Sequence, residues 1–223
     1  MGRAPPTVAK ARPPVHTSHT MITLYGSAQN RGSRCILVLE ECRLDYQVQP
    51  IDIDNGAQDN PAYRAINPNG KVPCLDDDGF VIWESMAVNL YLAGQYGNGL
   101  IPENAQARAK VLQWSFWAMT ELEAAVLSVF THRVFLPAED RRPEIAQQGM
   151  DKTAVLLAVL DGELEGNDYL IDNGFTVADL NVAHVVIWAT LLGVSLEEYK
   201  NVGRWFASIQ ERPSFQKLME MRS

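Results

Sequence analysis

The pair Glu84-Ser85 stands where an apolar run over 80–83 gives way to residues at helical spacing. The first N–H groups of a helix lack intrahelical partners, and its dipole favours an anion beside them. With the Ser85 hydroxyl as a further donor, this start suits a bound carboxylate. Taken alone, a serine there is more often a plain helix cap. A second place of interest is Val72-Pro73, just ahead of a hairpin. The bond before Pro73 is a candidate cis peptide; an ordinary trans proline ending an edge strand is the alternative. Thr176-x-x-Asp179 has capping-box spacing and reads as a structural device at the start of a core helix.

The three cysteines do not read as nucleophiles. Cys35 and Cys42 lie seven apart on one face of a helix and Cys74 follows Pro73, so all three are expected as core thiols. With no CxxC pair and no Cys/His cluster, neither a dithiol redox site nor a metal site is expected, and a reduced intracellular compartment is the simplest reading. Trp114, Phe116, Trp117 and Met119 crowd one segment, followed by His132 and Arg133. Helical phase splits Trp114 and Trp117 from Phe116, so both faces are apolar and one can line a cleft for apolar, poorly specified substrates.

The elements that carry these residues divide the chain in two. Residues 1–20 hold Pro5, Pro6, Pro13 and Pro14, three basic residues and no acid, and are expected as a disordered tail. Residues 21–97 read as a strand over 21–25, a helix over 33–43 and a strand over 46–53 interrupted by Pro50. A short helical stretch over 61–66 follows, then hairpin strands over 71–75 and 80–83 around Asp78-Gly79, and a helix from Glu84-Ser85 to about Tyr96. The order is βαβ-α-ββα, a mixed four-stranded sheet with a right-handed parallel crossover. After a linker over 98–104, residues 105–223 read as helix throughout: one long segment or two joined over 105–135, then 142–164, 177–192 and 202–212, with Pro213 opening a last short turn. With 223 residues and 47% hydrophobic content the chain can bury a full core. A net charge of −8 opposes nonspecific binding to nucleic acid or an anionic membrane, and no apolar run is long enough to span a bilayer.

A small βαβ-α-ββα domain followed by an all-helical one resembles the cytosolic glutathione transferase family. The residues that carry the resemblance are Asn67-Pro68-Asn69-Gly70-Lys71-Val72-Pro73-Cys74-Leu75, then Trp83-Glu84-Ser85-Met86-Ala87-Val88, and later Phe175-Thr176-Val177-Ala178-Asp179-Leu180. The resemblance implies a thioredoxin-like first domain, a cis bond before Pro73, and glutathione as co-substrate. The Val72 N–H and C=O would pair with the peptide as an added strand. Ser85 would take the γ-glutamyl carboxylate, Glu84 its ammonium group, and Lys71 the glycine carboxylate; Arg133 is a further candidate for a carboxylate.

Glutathione transfer needs a thiolate, and a donor aimed at sulfur lowers the thiol's pKa from about 8.5. That donor belongs between the first strand and the first helix, over 27–34. Register set by Arg34 and Leu39-Glu40-Glu41 puts Asn30 near the serine of the serine-type classes, which makes it the first choice. Ser27, Gln29 and Ser33 follow and Arg31 offers positive charge; Ser33 reads equally as the cap of the first helix, and Asn30 as a turn residue. Trp114 and Trp117 are the candidates for the electrophile pocket. The implied reaction is conjugation of the thiolate to small apolar electrophiles, or peroxide reduction, in a cytoplasmic homodimer without a metal. The alternatives are a glutathione-dependent cis–trans isomerase and a non-catalytic glutathione-binding module.

Overall fold

The computed structural model describes residues 21–171 and 174–223; the tail expected over 1–20 lies outside them. Strands β1 (Ile22–Tyr25), β2 (Tyr46–Gln49), β3 (Cys74–Asp77) and β4 (Phe80–Trp83) form one sheet in the order β2-β1-β3-β4. β1 runs parallel to β2 and antiparallel to β3, and β3 is antiparallel to β4, so the sheet is mixed, as the pattern predicts. In β1, buried Ile22 and Leu24 alternate with half-buried Thr23 and Tyr25. The hairpin turn is the two-residue Asp78-Gly79, with φ of 52° and 89°. Both values lie in the left-handed region, which is why Gly follows Asp there.

Two strand boundaries differ from the pattern. β2 stops at Gln49 because Pro50 has no N–H to continue the ladder. β3 starts at Cys74, three residues later than expected, because the chain turns at the cis Val72-Pro73 bond before it joins the sheet.

Helices α1 (Gly32–Glu41) and α3 (Ser85–Gln95) pack against each other beside the sheet, with the short α2 (Pro61–Arg64) between β2 and β3. The helical part opens at α4 (Ala105–Trp117), capped by Asn104, whose Oδ1 accepts from the Gln106 and Ala107 N–H groups at 2.9 and 3.0 Å. It continues without a break through a π turn at Ala118–Leu122, α5 (Glu123–Phe130) and a second π turn at Thr131–Phe135. The stretch expected as one helix or two joined is therefore one helix, re-phased twice. α6 (Pro143–Glu163), α7 (Val177–Leu191) and α8 (Lys200–Gln210) follow. The expected last turn is a full helix, α9 (Pro213–Arg222), which packs on α1. Its start is held by Arg212 and Ser214, both bonded to Glu41.

α7 is the centre of the core: its polar and apolar residues alike are buried on every side, and it touches α1, α3, α4, α5 and α8. Its N-terminus carries the capping box read from Thr176 and Asp179. The Thr176 Oγ1 accepts from the Ala178 N–H at 3.3 Å and Asp179 Oδ2 accepts from the Thr176 N–H at 2.9 Å. No helix among the described residues is long and apolar enough to cross a membrane.

Candidate functional site

Two neighbouring features make a shelf at the junction of the sheet with α3. The Lys71 carbonyl accepts from Tyr63 Oη and from Asn67 Nδ2, each at 2.6 Å, so the α2 turn pins the chain just before Val72. Val72 then stands outside the ladder, and its N–H and C=O have no hydrogen-bond partner among the described residues. Beside it, Glu84 is exposed with φ 74° and ψ 113°. A non-glycine residue held there costs about 1–3 kcal/mol, a strain that clusters at ligand-binding sites. Ser85 follows as the first residue of α3, and its Oγ accepts from the Arg34 guanidinium at 3.0 Å. With its lone pair engaged by a cation, the Ser85 hydroxyl is left to donate, as do the open N–H groups of the first helical turn. The shelf thus sets an unpaired stretch of backbone beside unpaired donors at a helix start. Lys71 is exposed at its rim, and its ammonium makes no ion pair among the described residues.

The loop over 27–34 lies next to this shelf. Asn30 Oδ1 accepts from the Ser27 N–H at 3.1 Å and the Gly32 N–H at 2.8 Å. A Cβ at position 32 would meet the Ser27 backbone N at 2.7 Å, so only glycine lets the loop close this tightly. Ser27 Oγ accepts from the Gln29 N–H at 3.3 Å, and the exposed Gln29 donates to the Met221 carbonyl of α9 at 3.2 Å. Ser33 is not the cap of α1. It sits inside the helix, fully buried, and its Oγ donates to the Asn30 carbonyl and touches His184, both at 2.7 Å. The capping oxygen at this start is that of Asn30.

A buried charge cluster stands behind the loop. Glu123 takes Arg31 on one oxygen at 2.8 Å and Arg34 on the other at 2.9 Å, and both Arg34 and Glu123 are almost wholly buried. Arg34 also reaches His184 Nδ1 at 3.3 Å and Met119 Sδ at 3.1 Å. Trp188 lies under both guanidinium groups, 5.6 Å from each. Burial lowers the Arg34 pKa and Glu123 opposes the shift; a guanidinium keeps its charge regardless. Burial and then Arg34 hold the His184 pKa well below 6.5. The π turn at Ala118–Leu122 supplies Met119 and ends where Glu123 begins, so the irregularity sets the phase at which these side chains meet α1.

The structure therefore brings together Ser27, Gln29, Asn30, Arg31, Ser33, Val72 and Ser85. It does not bring Arg133 to them: that side chain is exposed and donates to the Leu192 carbonyl at the end of α7, at 3.4 Å. Nor does it set Trp114 on an open wall. Trp114 is buried in the core, edge-on to the half-buried Trp117 at 5.0 Å. The aromatic residue beside the cluster is Trp188, with Phe130 edge-on to it at 5.8 Å. Trp188, Glu123 and His184 escaped the sequence reading. The available signal was an isolated histidine in the apolar run of α7. A charged cleft of about 500 Å3 between α1 and α9, lined by Glu40, Arg43, Arg212 and Lys217 among others, contains none of the site residues. Cys35 and Cys74 are buried and Cys42 half-buried, and burial pushes the thiols of Cys42 and Cys74 up to about 12 and about 11. Among the described residues no group of His, Cys, Asp and Glu is arranged to hold a metal ion.

Comparison with known proteins finds relatives of both parts of the fold. The family model for the glutathione S-transferase N-terminal domain matches residues 32–95, and that for its C-terminal domain matches residues 118–213. The chain is 30% identical over 203 residues to the glutathione S-transferase GstB of Escherichia coli, covering 89% of this chain and 98% of that protein. It is 31% identical over 201 residues to the disulfide-bond oxidoreductase YfcG of the same organism, covering 87% and 92%. Among solved structures, the theta class glutathione S-transferase of Xanthomonas axonopodis pv. citri, with glutathione bound, superposes with a TM-score of 0.82 at 28% identity, covering 89% of this chain and 97% of that one. Both halves of the fold, the shelf and the extent of these matches lead to one conclusion: the chain belongs to the glutathione S-transferase family.

Proposed function

We propose that this protein binds glutathione on the Val72–Ser85 shelf and joins it through its sulfur to small apolar electrophiles. The observation that carries the reading is Ser85: buried, first in α3, its oxygen held by Arg34 and its hydrogen left for a ligand. Val72 pairs with the peptide backbone, Ser85 and the α3 N–H groups take the γ-glutamyl carboxylate, and Glu84 takes the ammonium. Lys71 reaches for the glycine carboxylate. Ser27 and Asn30 present the donors for sulfur, and Arg31 and Arg34 add positive charge close by. The thiol proton leaves to solvent, the thiolate's electron pair forms the bond to the electrophilic carbon, and the leaving group departs with its own pair. Trp188, Met119 and Phe130 form the apolar wall against which the electrophile lies.

Reduction of a disulfide is a second reading, favoured by the 31% identity to YfcG. The loop over 27–34 has no cysteine, so the attacking sulfur is again that of glutathione. A two-domain division at about 98–104 fits the change from sheet to helix. We also place the chain in a homodimer, whose contacts would cover the exposed Phe80 and Trp83 of β4 and Phe116 of α4.

Calorimetric titration of glutathione tests the site. Saturable binding at millimolar affinity or better, about −4 kcal/mol or stronger, is expected. Ser85→Ala is expected to weaken it roughly ten- to a hundredfold, the worth of a hydrogen bond to a charged group at about 1.5–3 kcal/mol. Unchanged affinity in that variant overturns the assignment. Turnover with an aromatic halide rather than with a small disulfide separates the two reactions.

A further inference from the structure

Among the described residues, His184 is the side chain of the helical part that meets Ser33, whose Oγ bonds the Asn30 carbonyl of the sulfur loop. It is fully buried in α7 among Val182, Ala183, Val185 and Val186. Arg34 Nε carries a hydrogen and can only donate, so His184 Nδ1, at 3.3 Å, accepts, and the ring hydrogen sits on Nε2. Nε2 donates to Ser33 Oγ at 2.7 Å, and Ser33 passes its own hydrogen to the Asn30 carbonyl at 2.7 Å. The hydrogen bonds run one way, from Arg34 through His184 and Ser33 to Asn30. Three cations face the ring, Arg31 and Arg34 beside it and Arg222 from α9, while the carboxylate of Glu123 is taken up by the first two. A second ring hydrogen would point Nδ1–H at Arg34 Nε–H, so the geometry itself requires the single-hydrogen ring.

The far end of the chain is held from both sides. The Asn30 carbonyl is bonded to Ser33, and Oδ1 accepts from Ser27 and Gly32. What remains of its polar groups is the Nδ2 donor pair, for which no hydrogen bond is formed among the described residues. We propose that His184 is a positioning residue for sulfur activation, acting through Ser33 to fix the Asn30 carbonyl and so aim the Asn30 amide donors at the glutathione sulfur. This rests on the glutathione reading above. Donors held in place before the charge develops need no reorganisation when it does, so slack in the chain costs rate while leaving the peptide contacts at Val72 and Ser85 intact.

The test combines steady-state kinetics with the ultraviolet absorbance of the bound glutathione thiolate, titrated against pH, in the full chain. His184→Leu removes both hydrogen bonds. It is expected to lower kcat roughly tenfold and raise the bound thiol's pKa by about one unit, while KM for glutathione stays within about twofold. His184→Gln, with one donor and one acceptor at its tip, is expected to restore most of both. Ser33→Ala breaks the same chain with a smaller change and carries the test if His184→Leu does not fold. Unchanged kcat and thiol titration in His184→Leu or Ser33→Ala overturn the proposal, as does a His184→Gln variant as impaired as His184→Leu. If the wild-type protein shows no thiolate band with glutathione, the glutathione reading itself falls; if it does and the variants match it, only the role of His184 falls.

Discussion

Two buried carboxylates, Asp179 and Glu123, sit at the starts of neighbouring helices and serve opposite ends. Among the described residues, Asp179 is met only by neutral donors: the Leu170 and Thr176 N–H groups, the Thr176 hydroxyl and Trp205 Nε1, all between 2.9 and 3.1 Å. That cluster is closed and ties the α7 start to α8. Glu123 is met by two guanidinium groups, which leaves one positive charge over, and Arg34 spends its remaining donors on Ser85, His184 and Met119. On the glutathione reading, an anion at Ser85 would balance that surplus. A buried carboxylate satisfied by neutral dipoles is closed within the fold, whereas one shared by two guanidinium groups leaves a positive charge to be balanced.

The contrast is broken most sharply at Glu123. Glu123→Gln leaves Arg34 buried without a counter-charge and is expected to cost about 3–5 kcal/mol of stability by urea denaturation. Because the variant carries a larger surplus, saturating glutathione should stabilise it more than it stabilises the wild type; equal gains would show that the cluster does not feel the ligand. Asp179→Ala strands several buried donors and should cost about 2–3 kcal/mol, while the glutathione affinity of the folded protein stays the same. A change in that affinity would erase the distinction between the two acids.

A smaller effect follows from pH. The unfolded His184 ring titrates near 6.5 and the folded ring below it, so between the two the unfolded chain holds the extra proton. Stability should therefore fall as pH drops below about 6.5, by up to about 1.4 kcal/mol per unit, and stay level above it. Denaturation midpoints across that range in the wild type and in His184→Gln check this, and the variant should lose the slope. The smallest effect concerns the thiols. With Cys42 and Cys74 at about 12 and about 11, alkylation of the native protein near pH 8 should run at least about a hundredfold slower than that of free cysteine. Fast labelling would mean that the packing around α1 opens.

What was legible in the sequence was local. The Asp78-Gly79 hairpin, the capping box and the start of α3 at Glu84-Ser85 each announce themselves within a few residues, because turn geometry and capping are short-range. Pro50 was legible as an interruption, although its full effect was to end β2. The partners of Arg34 were not legible: Ser85, Glu123 and His184 lie 51, 89 and 150 residues away along the chain. Arg34 served only as a register mark until folding showed what it touches. Asn30 carries two readings from the sequence, donor and turn residue: its Oδ1 makes the turn by accepting from Ser27 and Gly32, which leaves Nδ2 over. The aromatic crowding at Trp114 packs into the core, and the π turn at Ala118–Leu122, which leaves no trace in hydrophobic periodicity, re-phases only the residues from Met119 onward.

That π turn also has a genetic reading. An α-helix advances about 100° per residue, so one residue more or less rotates everything beyond it by that amount. Glu123 faces α1 at the angle this one wide turn allows. Loss of a single codon from the turn, at a residue other than Met119, would therefore turn the acid away from Arg34 with every side chain of the cluster left as it is.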